Sequence, residues 1–375
     1  MYRRLRKILT GYIPALVKTG LLSFAPGLYD IFEINPTSAT LMITNRCNMR
    51  CIMCRQWREP CGGELSTESW KKIIDDLRRN GIKNIHFTGG EPLLRKDLVE
   101  LAGYASSLGF TAGLTTNGML LGKEIAGNLA DSGLRSVALS IDAVDGEYER
   151  IRGVKGAFEK VKNALRVISD LKAEEKIDAY ISFTLLKDNI GQIRSVKALA
   201  DSFNVPVAIC TLDKHSSIFN LDENKRDFWI RDKSDYSDLE KALEFLREEK
   251  TRKPSSLIQN FPGIDYIGRY FRDPLQKAIP CVSSQDRVII DPYGKFLGGC
   301  MAMGNFGNIN EIPFAGIKKG ARYRKAKKNM FYKKCPGCSC GYQFNIKCYA
   351  PLVLKDLSER IARKIPTKKH RKKDV

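Results

Sequence analysis

The pattern of apolar and polar residues changes its period repeatedly between residues 40 and 210. Runs of five to eight residues are rich in β-branched side chains and mostly bounded by Gly, Asn or Asp, which predicts strands. The runs lie at residues 40–44, 84–88, 111–116, 136–141, 178–185 and 205–210. Longer stretches between them repeat apolar residues at helical spacing, which predicts helices. These stretches lie at residues 67–80, 95–108, 120–132, 157–171 and 190–203.

Strand and helix alternate about six times in this region. Such alternation predicts an α/β fold whose parallel strands are joined by right-handed crossovers. Because ligands of these folds bind at the carboxyl ends of the strands, we expect functional residues directly after each strand.

Composition divides the rest of the chain into four further segments. Residues 1–38 are a basic amphipathic N-terminal segment, and residues 353–375 are a basic C-terminal tail. Residues 214–280 form a predicted helical bridge, in which 236–250 is the clearest helix. Residues 281–352 are Gly-rich and hold six of the eleven cysteines, which predicts a small Cys-rich module organised by metal.

The overall composition is that of a globular protein with a basic surplus. Hydrophobic residues make up 43% and charged residues 28%, which excludes global disorder. The net charge of +21 is concentrated in residues 1–20, 318–334 and 360–375, which carry +5, +9 and +7. No run of 18 apolar residues is present, and the N-terminus lacks the pattern of a signal peptide. The odd number of clustered cysteines favours metal ligation in a reducing cytosol over disulfides.

The first cysteine group follows the first predicted strand with C-x3-C-x2-C spacing. Its members are Cys47, Cys51 and Cys54. Structural zinc normally takes four ligands, so a zinc knuckle would have to recruit a distant fourth cysteine. An iron–sulfur cluster held by three thiolates instead keeps one iron available for a small molecule.

Three further motifs follow the second, third and fourth predicted strands. Gly89-Gly90-Glu91-Pro92 combines a carboxylate with two glycines that allow the backbone to approach a ligand closely. Thr115-Thr116-Asn117-Gly118 ends the third strand, and Ser140-Ile141-Asp142 ends the fourth. Each motif alone is also compatible with an ordinary turn or cap, but together they stand in register with the predicted strand ends.

These motifs together resemble those of the radical S-adenosylmethionine (radical SAM) superfamily. The resemblance implies a partial (β/α)6 TIM-like barrel over residues 39–213. It implies that Cys47, Cys51 and Cys54 hold a [4Fe–4S] cluster, whose open iron chelates the amino and carboxylate groups of SAM. The SAM contacts implied by the resemblance are Met53, Gly89, Gly90, Glu91, Pro92, Thr116, Asn117, Ser140, Asp142, Arg152 and Asn189. Met53 stands where the family often has an aromatic residue, Arg152 would pair with the SAM carboxylate, and Asn189 would meet the ribose.

The C-terminal cysteines resemble the twitch or SPASM extensions of some radical SAM enzymes. The resemblance implies at least one auxiliary iron–sulfur cluster, for which we expect the ligands Cys281, Cys300, Cys335 and Cys338. Cys340 or Cys348 is an alternative ligand, and a zinc ribbon is the alternative site because CxxC pairs commonly bind zinc. Cys61 and Cys210 stand outside both groups. Cys210 ends an apolar strand and is interpreted as a small core hydrophobe.

The basic segments predict binding to an anionic surface. Apolar residues in the first 20 positions repeat at helical spacing with cations on the other faces, which is typical of an interfacial helix. Tyr2, Tyr12, Phe24, Tyr29 and Phe32 would supply interfacial aromatic side chains. Clusters of cations are attracted to anionic lipid, and also to nucleic acid. The alternative is a helix that covers the open side of the barrel.

The function expected from these observations is that of a radical SAM enzyme. It would cleave SAM reductively to a 5′-deoxyadenosyl radical that abstracts hydrogen from a substrate, with ferredoxin or flavodoxin as electron donor. We favour a lipid, or another molecule presented at a membrane surface, as the substrate. We expect the protein itself to be cytoplasmic and peripheral at the inner face of the membrane. The alternatives are a maturase of a peptide or protein and, from another class, a zinc-containing protein that binds nucleic acid, which the strand-end motifs disfavour.

Overall fold

Seven strands form the centre of the protein, as seen in a computed structural model that describes residues 19, 21–23, 29, 34–212, 228–275 and 280–335. The strands are β1 (Ser38–Thr44), β2 (Asn84–Gly89), β3 (Thr111–Thr116), β4 (Ser136–Ser140), β5 (Asp178–Leu185), β6 (Val207–Thr211) and β7 (Arg287–Ile290). They form one sheet in the order β6-β5-β4-β3-β2-β1-β7, and every neighbouring pair is parallel. The predicted partial barrel is therefore confirmed.

Helices follow the strands along the chain. They are α1 (Thr67–Arg79), α2 (Leu98–Ser107), α3 (Lys123–Asp131), α4 (Asp145–Arg152), α5 (Ala157–Ala173), α6 (Gln192–Ser202), α7 (Lys233–Arg252), α8 (Phe261–Tyr270), α9 (Ser283–Asp286), α10 (Phe314–Lys319) and α11 (Ala321–Phe331). Short 3₁₀ turns cover Gln56–Arg58, Pro92–Leu94, Lys187–Asn189, Pro254–Ser256 and Met301–Met303. Local chemistry explains individual ends. For example, the Ser66 hydroxyl caps α1 by accepting a hydrogen bond from the Ser69 amide at 3.2 Å.

The six predicted strands and the six helices predicted between residues 67 and 250 are all present, with ends that differ by at most a few residues. The sequence reasoning missed β7, α4, α9, α10 and α11, whereas α8 lies within the predicted helical bridge. Residues 287–290 were assigned to the Cys-rich module, yet β7 pairs with β1 and extends the sheet on its other side. The division of the chain into separate domains stays a prediction.

One face of the sheet is apolar and covered by helices. The parallel register places Leu41, Phe87 and Leu114 side by side, and all three are fully buried. This face joins the inward sides of the helices in one continuous hydrophobic core. Burial of that area is the main force that holds the strands in register, so their carboxyl ends meet along one rim.

A second, smaller apolar cluster joins the N-terminal segment to α11. Leu22, Tyr29 and Phe331 are buried against one another, and the Tyr29 hydroxyl contacts the Gln285 side chain at 2.5 Å. The prediction that Tyr29 is an interfacial aromatic residue is wrong, because its ring packs inside the protein against Phe331 and Tyr332.

The basic stretch 318–334 is also partly interior. Lys327 is fully buried and donates to the Ile34 carbonyl, and Lys333 is 5% exposed and donates to the Leu275 carbonyl. These two cations therefore serve the fold and are not available to an anionic surface. Among the described residues, no helix combines the length and apolar character needed to cross a bilayer. The helix predicted in the first 18 residues, the remaining interfacial aromatic residues and the C-terminal tail lie outside the described residues.

A buried cation joins α6 to α7 and provides a test of the fold. Lys197 is 2% exposed and pairs with Asp201 and, at 2.8 Å, with Glu249. Replacing Lys197 with Met removes the buried cation and leaves the carboxylates only the exposed Arg252, which lies 2.6 Å from Glu249 and 3.8 Å from Asp201. We therefore expect a loss of about 2 kcal/mol in the free energy of unfolding. Denaturant titration measures the loss. The matched control is Lys241→Met, which breaks an exposed pair with Asp238 and should leave stability nearly unchanged. Equal effects of the two substitutions would contradict the assigned role.

Candidate functional site

The first three cysteines lie in the cysteine loop, residues 45–58, which leaves the carboxyl end of β1. The end of α4 supports this loop through two backbone hydrogen bonds. The Arg50 amide donates to the Arg152 carbonyl at 3.0 Å, and the Ile52 amide donates to the Ile151 carbonyl at 2.9 Å. Gly153 ends α4 with φ +69°, and a side chain there would overlap the Arg50 carbonyl. A segment whose regular structure is limited to the 3₁₀ turn Gln56–Arg58 is thereby fixed on both sides of Cys51.

The thiols of this loop differ in exposure and in partners. Cys51 is 9% exposed, whereas Cys47 and Cys54 are half-buried. The Arg152 guanidinium approaches the Cys51 sulfur, with Nη1 at 3.7 Å, and the Gln56 amide approaches the Cys54 sulfur at 3.4 Å. Both contacts are donors directed at sulfur, which favours the thiolate form that metals bind.

Burial raises the pKa of all three thiols, and it raises that of Cys54 to about 12. The Arg152 guanidinium lowers the pKa of Cys51 but does not overcome burial. In the metal-free protein the thiols are therefore protonated near neutral pH. Because metal binding must displace these protons, the affinity of the loop for metal rises with pH.

The donor set fits a cluster of several irons. Within the described ranges, no three His, Cys, Asp or Glu side chains converge closely enough to ligate one metal ion. An iron–sulfur cluster has a different requirement, because each thiolate binds its own iron at a separate corner. In addition, the Nε atom of Arg152 is buried and finds no hydrogen-bond partner among the described residues. An anionic group beside Cys51 would satisfy it.

The glycines at the end of β2 allow the loop that follows β2 to pass directly beneath the cysteine loop. The Gly90 amide donates to the Thr44 carbonyl and the Glu91 amide to the Arg46 carbonyl, both at 2.7 Å. A Cβ atom on Gly90 would overlap the carbonyl oxygens of Asn45 and Arg46. The close approach expected of these glycines is therefore an approach to the cysteine loop itself.

Glu91 connects two strand ends through a fully buried carboxylate. It accepts hydrogen bonds from the Thr116 hydroxyl at 2.7 Å, the Asn117 amide at 2.8 Å and the Leu93 amide at 3.0 Å. Burial raises the pKa of Glu91, and the three donors act in the opposite direction. The Asn117 side chain then donates to Asn48 in the cysteine loop at 2.7 Å. This Glu91 network joins the ends of β2 and β3 to the cysteine loop.

Asp142 and Arg152 form a buried ion pair at the end of β4. Arg152 Nη2 lies 2.6 Å from Asp142 Oδ2, and Asp142 Oδ1 accepts from the Thr184 amide at 2.6 Å. Burial raises the pKa of Asp142, while Arg152 acts to lower it. The pair holds Arg152 in place beside Cys51, so one carboxylate positions the only cation that contacts a thiol of this loop within the described residues.

The remaining predicted contacts surround the same rim. Asn189 is fully buried, accepts from the Leu186 amide, and donates to the Asp142 and Thr184 carbonyls at 3.0 and 2.9 Å. Its two amide hydrogens therefore hold the ends of β4 and β5 together. Met53 is 4% exposed in the core, Pro92 is buried, and Ser140 is half-buried at the end of β4. Contact of these residues with SAM stays a prediction.

The second cysteine group lies on both sides of β7. Cys281 and Cys300 are buried, and Cys335 is half-buried at the end of the described range. The Ser284 hydroxyl donates to the Cys281 carbonyl at 3.0 Å, and a Cβ atom on Gly299 would overlap the Ser284 backbone. These contacts bring the segments that carry Cys281 and Cys300 together. Cys338, Cys340 and Cys348 lie outside the described residues.

Sequence reasoning missed a link from the C-terminal module to the cysteine loop. Asn45 and Gln56 are both 6% exposed, and the Gln56 amide group donates to Asn45 at 2.5 Å. Asn45 in turn donates to the Pro60 carbonyl and to the Tyr293 hydroxyl, and Tyr293 also contacts Pro60. Residue 293 is far from this loop in sequence, so no local pattern marks the contact.

The inner face of the sheet was also missed. Register places Thr40 beside His86 and Thr184 beside Cys210, on the face opposite the apolar core. Half-buried polar side chains line this face: Thr40, His86, Thr115, Tyr180, Ser182, Thr184 and Cys210. The sequence signal for this face is the alternation of apolar and polar residues along each strand. The polar residues form a face of the sheet that is half-buried and does not lie at the protein surface.

Two contacts define the chemistry of this inner face. His86 Nε2 lies 2.7 Å from the Thr115 hydroxyl, and burial lowers the pKa of His86 to about 4, so the ring is neutral. Cys210 lies 3.5 Å from the Ser182 hydroxyl, and burial raises its pKa to about 11. The prediction that Cys210 is a core hydrophobe is wrong, because its alternate position in β6 points to the polar face. The inner face presents neutral hydrogen-bonding groups.

Comparison with known proteins gives one family match. The family described as the Radical SAM superfamily matches residues 41–197. The chain is 39% identical over 166 residues to Fe-coproporphyrin III synthase of Methanosarcina barkeri, covering 44% of this chain and 41% of that protein. It is 41% identical over 128 residues to PqqA peptide cyclase of Bradyrhizobium diazoefficiens, covering 33% of this chain and 34% of that protein. The matches thus span less than half of each of these two relatives.

Among solved structures, the fold is similar to that of Streptococcus suis SuiB bound to S-adenosylmethionine. The TM-score is 0.63 at 16% identity, and the match covers 88% of this chain and 77% of SuiB. At this identity the similarity establishes the fold alone.

The Gly90 contact predicts a selective effect on the cysteine loop. Gly90→Ala forces a Cβ atom against two loop carbonyls, so we expect a loss of about 2 kcal/mol or more in the free energy of unfolding. Alkylation of Cys51 in the metal-free variant should also become faster, because the loop is displaced from its supports. Gly122→Ala, at a position with open space and ordinary φ, is the matched control. A Gly90→Ala protein that matched this control in both measurements would contradict the assigned contact.

Proposed function

Because residues 41–197 belong to the radical SAM superfamily, we propose that the protein binds a [4Fe–4S] cluster and SAM at this rim and acts on a peptide. The chemistry that the two groups supply when bound is one-electron cleavage of SAM to methionine and a 5′-deoxyadenosyl radical, which removes hydrogen from a substrate. The observation that carries the proposal is the convergence of the cysteine loop, the Glu91 network and Arg152 at one rim of the barrel.

In this proposal the chain's own residues divide into ligands and supports. Cys47, Cys51 and Cys54 are the cluster ligands, and Arg152 stabilises the thiolate of Cys51. Glu91 and Asn189 hold the strand ends together, because their polar atoms are already engaged within the protein. The backbone around Gly89 and Gly90, together with Asn117 and Ser140, is the proposed surface for SAM. Asp142, whose two oxygens are engaged by Arg152 and the Thr184 amide, positions Arg152 beside this surface.

We also propose an auxiliary iron–sulfur cluster in the C-terminal module. Its support is the proximity of the segments that bear Cys281 and Cys300, and the pairing of β7 with β1 next to the barrel. The proposed ligands are Cys281, Cys300, Cys335 and Cys338, with Cys340 or Cys348 as alternatives. Such a cluster would pass electrons to or from the substrate radical, or would bind the substrate.

A peptide fits these observations better than the lipid favoured on sequence grounds. One relative is named for a peptide substrate, and neither relative is named for a lipid. The inner face offers hydroxyls, a neutral imidazole and a thiol, which match the hydrogen-bonding groups of peptide amides. The name of the other relative makes a tetrapyrrole the second candidate.

A triple substitution separates the two proposed iron sites. Replacing Cys47, Cys51 and Cys54 together with Ala should abolish formation of 5′-deoxyadenosine from SAM and reductant. The variant should keep the iron held by the C-terminal cysteines, because none of those ligands is changed. Iron analysis and chromatography of the products measure both outcomes, with Cys61→Ala as the control at an exposed cysteine outside both groups. Continued 5′-deoxyadenosine formation would overturn the ligand assignment.

The substrate class can be tested by direct competition between candidates. The reconstituted protein is incubated anaerobically with SAM and reductant, together with a library of synthetic peptides, iron coproporphyrin III or anionic lipid vesicles. We expect a covalent change by mass spectrometry in the peptide alone, with a matching rise in 5′-deoxyadenosine. A change in the porphyrin or the lipid, with the peptide untouched, would replace the peptide proposal with that candidate.

A further inference from the structure

A single carboxylate holds the start of the cysteine loop. Glu64 Oε1 accepts a hydrogen bond from the Asn45 amide at 2.6 Å, and the Thr44 hydroxyl lies 3.1 and 2.9 Å from the two carboxylate oxygens. The Thr44 hydroxyl in turn accepts from the Arg46 amide at 3.1 Å. Because β1 ends at Thr44, these two amides lie beyond the strand and need other acceptors. Glu64 supplies one acceptor directly and orients the other through Thr44.

The C-terminal module determines where Glu64 lies. The amide of the next residue, Leu65, donates to the Pro292 carbonyl at 2.8 Å. Pro292 is buried and belongs to the turn that follows β7, residues 291–294, which we call the β7 turn. The backbone that carries Glu64 is therefore attached to a segment that is distant in sequence.

The β7 turn also contacts the start of the cysteine loop directly. The Tyr293 hydroxyl donates to the Pro60 carbonyl and accepts from the Asn45 side chain at 3.4 Å. The same Asn45 side chain donates to the Pro60 carbonyl at 2.7 Å. Asn45 is thus held at its backbone by Glu64 and at its side chain by Tyr293 and Pro60.

The segment between Pro60 and Glu64 makes these end contacts important. Cys61 is exposed, and a Cβ atom on Gly62 or Gly63 would meet open space. Because close packing contributes little at these three positions, the place of the segment depends on the hydrogen bonds at its two ends.

We infer that Glu64 and Tyr293 are positioning residues for the SAM-cleaving site, through which the C-terminal module fixes the cysteine loop. This inference rests on the proposed function. Both side chains act through Asn45, which lies two residues before Cys47 in sequence. The thiols belong to the cysteine loop, whereas the proposed SAM surface belongs to the ends of the neighbouring strands. Loss of either contact therefore displaces Cys47 relative to that surface without removing any thiol.

The first test compares two substitutions of Glu64 in the reconstituted protein. Glu64→Ala removes the acceptor, so the KM for SAM in 5′-deoxyadenosine formation should rise about tenfold, with kcat within about threefold of wild type and iron content unchanged. Glu64→Gln keeps an acceptor for the Asn45 amide and removes the charge, so KM should stay within about twofold of wild type. If Glu64→Gln raises KM as much as Glu64→Ala does, the carboxylate acts through its charge and the positioning role is overturned. An unchanged KM in Glu64→Ala overturns it equally.

The second test addresses the contribution of the C-terminal module. Tyr293→Phe removes the hydroxyl and keeps the ring, so the KM for SAM should rise about threefold. Because Glu64 and Tyr293 hold the same residue, their effects should be non-additive in the double variant. The matched control is Tyr104→Phe, which removes a hydroxyl bonded to Asp75 at 2.8 Å between α2 and α1 and should leave KM unchanged. Equal effects of the two tyrosine substitutions, or no effect of Tyr293→Phe, would overturn the role of the module.

Alkylation of the metal-free protein gives a readout that does not require the loaded enzyme. Labelling by iodoacetamide, located by mass spectrometry, should modify Cys47 about threefold faster in Glu64→Ala and in Tyr293→Phe than in wild type. Labelling of the buried Cys281 should keep its wild-type rate, because Cys281 lies before β7 and the β7 turn lies after it. A parallel rise at Cys281 would indicate general loosening and overturn the local role. If Glu64→Ala does not fold, Tyr293→Phe decides the inference by the same two measurements.

The outcomes also separate the inference from the proposed function. If wild type forms no 5′-deoxyadenosine, but both variants are labelled faster at Cys47 alone, the positioning role stands and the proposed chemistry is overturned. If wild type cleaves SAM, and both KM and labelling are unchanged in the variants, the positioning role alone is overturned.

Discussion

The arrangement of the site depends on a buried carboxylate, Glu91. Its side chain is fully buried and accepts hydrogen bonds from Thr116 and Asn117 at the end of β3. The Asn117 side chain in turn donates to Asn48 in the cysteine loop. A buried carboxylate is costly unless its oxygens are satisfied, so the surrounding donors must keep their places. The resulting constraint fixes three separate chain segments relative to one another at a single rim.

This constraint makes a short, irregular loop a precise scaffold. Apart from the 3₁₀ turn at Gln56–Arg58, the cysteine loop has no regular structure. It is supported by α4, by the loop around Gly90 and, through Asn45, by Tyr293 of the C-terminal module. Each support comes from a different part of the sequence. The sheet provides the common frame, because burial of its apolar face brings all these strand ends to one side.

Sequence patterns predicted the strands, the helices and the rim because these depend on local periodicity and on the general rule for parallel sheets. They did not predict β7, because four residues among glycines and cysteines give little periodic signal, and the strand exists through its pairing with β1. They also assigned Cys210 to the core because it ends an apolar strand, whereas its register beside Thr184 places it on the polar face. Glu91 and Asn189 were expected to meet a ligand, but which hydrogen bonds they make within the protein depends on contacts across the sheet.

The central claim is that the cysteine loop holds a cluster with an iron open to SAM. The most direct measurement is the electron paramagnetic resonance spectrum of the anaerobically reconstituted and reduced protein, recorded with and without SAM. The account predicts a reduced-cluster signal whose g values shift when SAM is added, and the loss of that SAM-sensitive signal when Cys47, Cys51 and Cys54 are replaced. A signal that SAM leaves unchanged, or a SAM-sensitive signal that survives the replacement, would contradict the account.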